Sequence, residues 1–315
     1  MKNESMIFGL IFACSFASAS DSSLVLVKKS SIVGQAVAAK SYFRVAKAPL
    51  GLISATRISD TSLRVSYPAD STQNQRHYTI PLNSPFGAGT QHFCWTERSQ
   101  TGTTFAVHEL TTNTTRRIES PIQAVNQLQM IGTNVYLISE KDRIQTLSRL
   151  NLEISNIENL NTLEAHHSIV RFGSPHHKHL VIVDPISGQF RIDSIDPNYK
   201  VGNWRTISRE GRTPEASSSY ETAQGVKALR GNVLAHAIGS TPNTHIFVVP
   251  GEKNVASSFA LQVDGSGNQL KQWNLKPDPD MLQNMLVEFR TVTMEAEGLT
   301  FFGRDGNAYT FQGVQ

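Results

Sequence analysis

The chain has 315 residues, of which 39% are hydrophobic and 17% are charged, and its formal net charge is +3 at pH 7. This apolar content is enough for a substantial core, in one large domain or two ordinary ones. Lysines and arginines are scattered, and the longest basic runs are pairs such as Lys28-Lys29 and Arg116-Arg117. Because nucleic-acid binding requires basic residues concentrated on one face, we expect no nucleic-acid partner.

The N-terminal segment has the order of a secretory signal peptide. It begins with the polar stretch MKNES, continues with the apolar run MIFGLIFACSFA, and has small residues at Ala17 and Ala19. The apolar run is too short to cross a bilayer, and no later run is longer. These features predict that residues 1–19 are a signal peptide and that residues 20–315 are secreted into the extracellular space without a membrane span.

Two cysteines bear on the compartment. Ile11-Phe12-Ala13-Cys14 resembles a bacterial lipobox, although Phe12 is bulky where a small or β-branched residue is usual, so a lipid anchor through Cys14 is the alternative to free secretion. Cleavage after Ala19 leaves Cys94 alone, and its apolar neighbours predict a buried, unreactive thiol.

One glycosylation sequon follows. Asn113-Thr114-Thr115 falls in a turn-like stretch, which predicts Asn113 as an N-glycosylation site in a eukaryotic host.

From residue 50 onward the chain repeats one unit of three short strands. The two later strands of each unit are most legible in LRVSYPADSTQNQRHYTI, TFAVHELTTNTTRRI, VYLISEKDRIQTLSRLNL, HLVIVDPISGQFRIDSI, HIFVVPGEKNVASSFALQV and LTFFGRDGNAYTF. Antiparallel units that recur about every forty residues are typical of β-propellers. We therefore predict an all-β, single-domain propeller of six or seven blades, with two β-sandwich domains as the alternative.

Two segments refine this prediction. The apolar stretch 24–27 is expected to pair with the last blade and close the ring, which would remove exposed strand edges. The polar stretch 208–224 (SREGRTPEASSSYETAQ) widens the spacing between units. It predicts a mobile loop or a poorly marked seventh blade.

Residues 166–179 raise the question of a metal site, because they include His166, His167, His176, His177 and His179. The first two precede a strand and the others follow it, and a six-residue strand spans about 20 Å. The two groups therefore cannot share a metal with ordinary bond lengths. His177 and His179 remain the candidates for a two-histidine surface site, but no Cys or carboxylate completes it. We interpret the stretch as a polar turn and expect no metal and no cofactor.

Catalytic patterns are equally sparse. The stretch 264–268 begins like a calcium loop, but Gln269 and Leu275 occupy positions that require a glycine and a carboxylate. Glycosidase-type propellers need paired carboxylates, and the sequence does not pair any two. We assign no catalytic residue, and the sequence favours a binding module over an enzyme.

Two stretches resemble a known family. TSLRVSYPADSTQNQRHYT and HLVIVDPISGQFRIDSIDPNYKVGNW look like blades of the fungal fucose-specific lectins, which are six-bladed propellers. The resemblance implies sugar binding between blades by an arginine, a glutamate and an aromatic residue. Arg64 matches the arginine and Trp204 the aromatic position, whereas Arg76 stands where the glutamate belongs.

These observations predict a secreted, non-catalytic module that binds a glycan or an extracellular protein. Sugar sites combine an aromatic plane with charged hydrogen-bonding groups, so the expected ligand-binding residues are Arg64, Trp204, Arg205 and Trp273. Two alternatives stay open. One is a secreted propeller-type hydrolase of the glycosidase or lactonase type, and the other is an extracellular structural or interaction protein.

Overall fold

A computed structural model describes most of the chain from Ser23 onward. The described residues are 23–31, 43–48, 51–68, 75–89, 91–163, 170–184, 189–206, 219–221, 227–229, 235–239, 241–249, 259–276, 291–295, 298–302 and 307–313. The predicted signal peptide 1–19, with its Cys14 alternative, lies outside them, as do His166, His167 and most of the stretch 208–224. No helix in the described part is long and apolar enough to cross a membrane.

Within these residues the strands form six consecutive antiparallel meanders, which we call blades 1 to 6. Blade 1 contains β2 (Phe43–Ala48), β3 (Gly51–Arg57), β4 (Ser62–Pro68) and β5 (Gln75–Pro81). Blade 2 contains β6 (Phe86–Ala88), β7 (His92–Arg98), β8 (Thr103–Glu109) and β9 (Thr114–Ser120). Blade 3 contains β10 (Val125–Ile131), β11 (Asn134–Lys141), β12 (Ile144–Asn151) and β13 (Asn156–Leu163).

The second half of the chain continues the series. Blade 4 contains β14 (Arg171–Phe172), β15 (His179–Asp184), β16 (Gln189–Ser194) and β17 (Arg205–Thr206). A separate hairpin follows, made of β18 (Ser219–Glu221) and β19 (Lys227–Leu229). Blade 5 contains β20 (Ala235–Ile238), β21 (Thr244–Val249), β22 (Phe259–Asp264) and β23 (Gln269–Lys276). Blade 6 contains β24 (Thr291–Glu295), β25 (Gly298–Phe302) and β26 (Asn307–Gly313), and is completed by β1 (Ser23–Ser31).

The ring is closed by the N-terminal strand. Strand β1 runs antiparallel to β26, with Leu24 opposite Gly313, and its first residues also pair in parallel with β23 of blade 5. The first strands of successive blades are neighbours, as β2 and β6, β6 and β10, β10 and β14, β20 and β24, and β24 and β2 show. The predicted pairing of residues 24–27 with the last blade is confirmed. The propeller is confirmed over the two-sandwich alternative, because consecutive meanders pack around a ring.

The second and third strands of a blade are buried on both sides, because a neighbouring blade covers each face. Strand β8 is buried from Thr103 to His108, whereas the outermost strand β9 is mostly exposed. Aromatic side chains of blades 1 and 2 fill one such interface, with Tyr67, Phe93 and Trp95 almost fully buried. Cys94 packs in the next interface, toward blade 3, and burial raises the pKa of its thiol. The expected buried cysteine is confirmed.

The meander decides which loops share a face of the ring. Since neighbouring strands within a blade are antiparallel, the connection from first to second strand and the connection from third to fourth strand lie on the same face. In blade 4 these are residues 173–178 and 195–204, and in blade 5 the third-to-fourth connection is the turn 265–268. Apolar side chains such as Phe190 and Phe247 pack blades 4 and 5 together. The three connections therefore meet above this interface.

Candidate functional site

A pocket of about 280 Å³ lies on this face between blades 4 and 5. Its polar lining comes from the start of β15, the end of β16, the loop 195–204, the start of β17 and the turn 265–268. The side chains that carry this polarity are His179, Ser194, Lys200, Asn203, Arg205 and Ser266. Two of them are cationic and one is an imidazole. None of the described residues that line the pocket is a carboxylate.

The turn 265–268 is shaped to leave room for the pocket's side chains. Asp264 holds it by accepting hydrogen bonds from the backbone N–H groups of Ser266 and Asn268, each at 2.8 Å. A Cβ atom on Gly267 would lie 2.5 Å from Cδ of Arg205, and Gly267 also has a φ of +81°, which favours glycine. A Cβ atom on Gly265 would lie 2.8 Å from Cε1 of His179. The glycines therefore allow Arg205 and His179 to approach the turn.

The loop 195–204 is held from below by a buried ion pair. Nε of Arg191 lies 2.8 Å from Oδ1 of Asp193, and the two side chains are 3% and 0% exposed. The same carboxylate accepts hydrogen bonds from the Tyr199 hydroxyl and from the Gly202 backbone N–H, each at 2.8 Å. Burial, followed by the charge of Asp193, raises the pKa of Tyr199. Asp193 thus connects the strand β16 to the loop that supplies Lys200 and Asn203.

Three histidines form a hydrogen-bonded chain behind the pocket. Nδ1 of His179 lies 2.9 Å from Nε2 of His245, and Nδ1 of His245 lies 3.0 Å from Nε2 of His236. At the buried end, the backbone N–H of Ser174 donates to Nδ1 of His236 at 2.8 Å. His236 and His245 are 4% and 0% exposed, while His179 is half-buried at the pocket wall. We call His236, His245 and His179 the imidazole chain.

The backbone donor decides where each proton sits. Because the Ser174 N–H points at Nδ1 of His236, that nitrogen carries no proton, and neutral His236 holds its proton on Nε2. Nε2 then donates to His245, whose own Nε2–H donates to Nδ1 of His179. His179 is left with a proton on Nε2, which has no partner among the described residues. A neutral His179 therefore presents an N–H donor at the pocket wall.

Burial keeps this chain uncharged. Desolvation, with the neighbouring histidines, lowers the pKa of His245 to about 3 and the pKa of His236 well below its usual value. Desolvation, followed by the charges of His177 and Lys178, lowers the pKa of His179. A second proton on any of the three imidazoles would also place two N–H groups face to face, where they repel each other. The imidazole chain is therefore neutral at pH 7.

The other histidines of the stretch 166–179 pack around the chain. The His176 ring is 3% exposed and stacks on His179 at 4.8 Å between ring centres, and its Nδ1 accepts from the Lys178 backbone N–H. Burial, followed by the charge of His179, lowers the pKa of His176 to about 4. His177 is exposed. In the described part of the chain no three His, Cys, Asp or Glu side chains form a metal-binding group.

Of the four predicted ligand-binding residues, one lies at this site and three do not. Arg205 lines the pocket. Its neighbour Trp204 does not; it packs against the apolar core between blades 3 and 4, with the Arg191 guanidinium 5.3 Å from its ring centre. Trp273 lies on β23, with Nζ of Lys271 5.2 Å from its ring centre, and does not line the pocket. Arg64 is exposed on β4 of blade 1, away from this interface. Ligand binding by these residues stays a prediction.

Sequence reasoning missed the partners of His179. The stretch 166–179 was interpreted as a polar turn, whereas His176 and His179 pack against His245 of blade 5. A signal was present, because HLVIVD and HIFVV each place a histidine before the apolar second strand of a blade. Equivalent positions in neighbouring blades lie side by side, so this repetition indicates contact between His179 and His245.

The predicted glycosylation site lies on another blade. Asn113 is exposed in the turn between β8 and β9, and its Oδ1 accepts a hydrogen bond from the Tyr67 hydroxyl at 2.9 Å. Attachment of a glycan uses Nδ2, so this contact is compatible with glycosylation, which stays a prediction.

Comparison with known proteins bears on the fold alone. No protein-family model matches the chain, and no curated protein matches it. Among solved structures, a catalytically inactive histidine-to-alanine variant of virginiamycin B lyase from Staphylococcus aureus with quinupristin is 12% identical, with a TM-score of 0.55, over 90% of this chain and 83% of that chain. A streptogramin B lyase is 10% identical, with a TM-score of 0.54, over 86% and 78% of the two chains. At these identities the likeness shows that the chain is a β-propeller.

The resemblance to fungal fucose-specific lectins is wrong. The solved structures that this chain resembles include virginiamycin B lyase and streptogramin B lyase rather than those lectins. The quoted motif around Arg64 reproduces the strand–turn–strand outline of a propeller blade, which any propeller shares, and Arg64 is solvent-exposed on blade 1. The similarity of outline therefore carried no information about a fucose site.

Proposed function

We propose that this protein is a propeller enzyme that cleaves an ester or lactone bond in the pocket between blades 4 and 5. The observation that carries the proposal is the Nε2–H of His179, held at the pocket wall by two buried imidazoles and accompanied by Arg205 and Lys200. Attack of a water molecule on the ester carbonyl carbon forms a tetrahedral intermediate with negative charge on the former carbonyl oxygen. The intermediate collapses by breaking the C–O bond to the leaving alkoxide, which takes up the proton that the water loses. Fixed donors in a partly desolvated pocket stabilise that charge strongly.

The burial of the imidazole chain supports a functional role. Buried polar groups with strongly shifted pKa values cost folding free energy and concentrate at functional sites. An apolar interface, as between Phe190 and Phe247 one layer below, would hold the blades together equally well. In virginiamycin B lyase, a propeller of the same fold, a histidine-to-alanine variant is catalytically inactive.

The lining favours ester or lactone cleavage over glycoside hydrolysis. Glycosidases use two carboxyl groups about 5–10 Å apart on either side of the bond. No carboxylate is among the described residues of the pocket lining. The nearest buried one, Asp193, is already bonded to Arg191, Tyr199 and Gly202. Extracellular location stays part of the proposal, on the basis of the N-terminal sequence.

The proposal is tested by turnover of a panel of aryl esters, lactones and aryl glycosides. We expect the parent protein to cleave members of the ester or lactone classes and to leave the glycosides intact. Removal of one such donor typically costs about 100- to 1,000-fold in kcat, so His179→Ala should lose about that factor. His77→Ala, which changes an exposed histidine of blade 1, is the matched control and should keep the parent rate.

Two outcomes would contradict the assignment. One is a parent protein that turns over no ester and no lactone, and the other is a His179→Ala variant as active as the parent.

A second candidate function is the binding of an acidic glycan or an acidic protein surface without catalysis. It is favoured by the two cations of the lining, Lys200 and Arg205, together with the exposed apolar side chain of Val201, which is 51% exposed. Saturable binding of acidic oligosaccharides by a protein that cleaves no member of the panel would support this function instead.

A further inference from the structure

We infer that the imidazole chain is a directional device: the Ser174 backbone N–H, acting through His236 and His245, holds His179 as a hydrogen-bond donor and so makes the pocket a site for oxyanions. His236 and His245 are positioning residues in this scheme, since neither touches the pocket. The inference deepens the proposed function and uses the same pocket, but it concerns the direction of hydrogen bonds rather than bond cleavage.

A backbone N–H cannot reverse its direction as a donor. An imidazole can exchange the roles of its two nitrogens, and a chain made only of imidazoles has two equivalent directions. The 2.8 Å bond from Ser174 N to His236 Nδ1 removes this equivalence. In the reverse direction, Nδ1–H of His236 would face the Ser174 N–H, and a buried bond would be replaced by a repulsive contact.

Close packing prevents the imidazole rings from flipping to escape this constraint. A Cβ atom on Gly173 would lie 2.5 Å from Nδ1 of His236, so the ring sits directly against the backbone of blade 4. The His236 ring also packs on Phe247, with 5.0 Å between ring centres. At the other end His179 is clamped between the stacked His176 ring and Gly265. A flipped ring at either end would lose its partner.

The donors at the pocket wall match one class of ligand. A pocket wall that offers Nε2–H of His179 beside the side chains of Lys200 and Arg205 presents donors, with no carboxylate among the described lining residues. Such a set matches oxygen atoms that carry full or developing negative charge, as in phosphate, carboxylate or the oxyanion of ester cleavage. It does not match amines or metal cations, because neutral His179 has no free lone pair there. The chain direction therefore selects the ligand class.

The experiment reads the tautomers directly. Long-range proton–nitrogen NMR correlations on 15N-histidine-labelled protein at pH 7.5 distinguish Nε2–H from Nδ1–H imidazoles. We expect His236, His245 and His179 all to be Nε2–H in the parent. In His236→Phe the donor to His245 is lost, so His179 should populate the Nδ1–H form. His77→Phe, the same substitution at an exposed histidine of blade 1, is the matched control and should keep the parent tautomers.

A binding measurement on the same proteins uses inorganic phosphate as the probe. Loss of one fixed donor weakens binding by about fivefold on average, so we expect His236→Phe to bind phosphate about that much more weakly than the parent and His77→Phe to match the parent. A parent protein with His179 in the Nδ1–H form overturns the inference, and this result requires no variant. Unchanged tautomers and phosphate affinity in folded His236→Phe overturn it too.

Failure of the proposed function is separately visible. A protein with the expected tautomers and phosphate affinities that cleaves no ester or lactone keeps the directional chain and loses only the proposed reaction.

Discussion

Acidification from pH 7 to pH 4.5 is expected to destabilise this protein far more than an ordinary domain of its size. Four buried or half-buried histidines, His176, His179, His236 and His245, have pKa values below the usual 6.5, and those of His176 and His245 fall to about 4 and about 3. Below pH 6.5 the unfolded chain therefore binds more protons at these residues than the folded chain does.

Because of this difference in proton binding, acidification lowers the free energy of unfolding. Stability rises with pH wherever the unfolded state binds more protons, so the contribution of each histidine is complete above pH 6.5 and is lost as the pH falls toward its folded pKa. Each such group removes about 1.4 kcal/mol per pH unit within that window. Domains are stable by only about 5–15 kcal/mol, so His176, His236 and His245, whose folded pKa values fall furthest, together remove a large part of that stability.

Urea unfolding between pH 7.5 and pH 4.5 measures this loss. His176→Leu should flatten the dependence by about one proton, or about 1.4 kcal/mol per pH unit, while His77→Gln, on the exposed side of blade 1, should leave it unchanged. Glu97, whose pKa is lowered by its hydrogen bond to Arg117, contributes only below its ordinary value of 4.5 and so lies outside the window. A free energy of unfolding that stays constant from pH 6.5 to 4.5 would contradict the conclusion that these histidines are buried and neutral.

Asp193→Ala is expected to lower the free energy of unfolding by about 3–5 kcal/mol, because it leaves the Arg191 guanidinium buried without its counter-charge. The same change removes the acceptor of the Tyr199 hydroxyl and of the Gly202 N–H. The loop 195–204 should therefore lose order along with the strand, and the pocket should lose the placement of Lys200 and Asn203.

Two comparison variants distinguish the effect of leaving a charge buried and unpaired from the effect of losing an exposed ion pair. Glu158→Ala removes one partner of the exposed Arg149–Glu158 pair and should change stability by less than about 1 kcal/mol. Replacing Arg191 and Asp193 together by leucine should destabilise less than Asp193→Ala alone, since no unpaired charge stays in the core. Equal losses for Asp193→Ala and Glu158→Ala would show that the Asp193 network does not support the loop.

The sequence was sufficient to predict the propeller, because its information is local and repeated. Strands such as VYLISEK and HLVIVD are continuous apolar runs with short polar turns, and their regular spacing indicates one blade after another. The closing role of residues 24–27 could be predicted as well, because a ring of meanders exposes strand edges until an extra strand completes the last blade.

The site was harder to predict from the sequence because its residues come from separate blades. His236 lies in the first strand of blade 5, and His179 and His245 lie at the start of the second strands of blades 4 and 5. The density of histidines along the chain pointed to residues 166–179. It gave no indication of their partners His236 and His245, which lie in blade 5. Choosing tryptophans and arginines by residue type found Arg205 at the pocket, but it equally selected Trp273 and Arg64, which lie elsewhere.

The central claim is that His179 donates to a negatively charged oxygen in the pocket between blades 4 and 5. The most direct measurement is a crystal structure of the protein with methyl phenylphosphonate, a tetrahedral anion that resembles the intermediate of benzoate ester cleavage. We predict a phosphonyl oxygen about 2.7–3.1 Å from Nε2 of His179, the distance expected of an oxyanion donor, on the side of the pocket that Arg205 lines. A phosphonate bound elsewhere on the propeller, or bound in this pocket with Nε2 of His179 turned away from it, would contradict the claim.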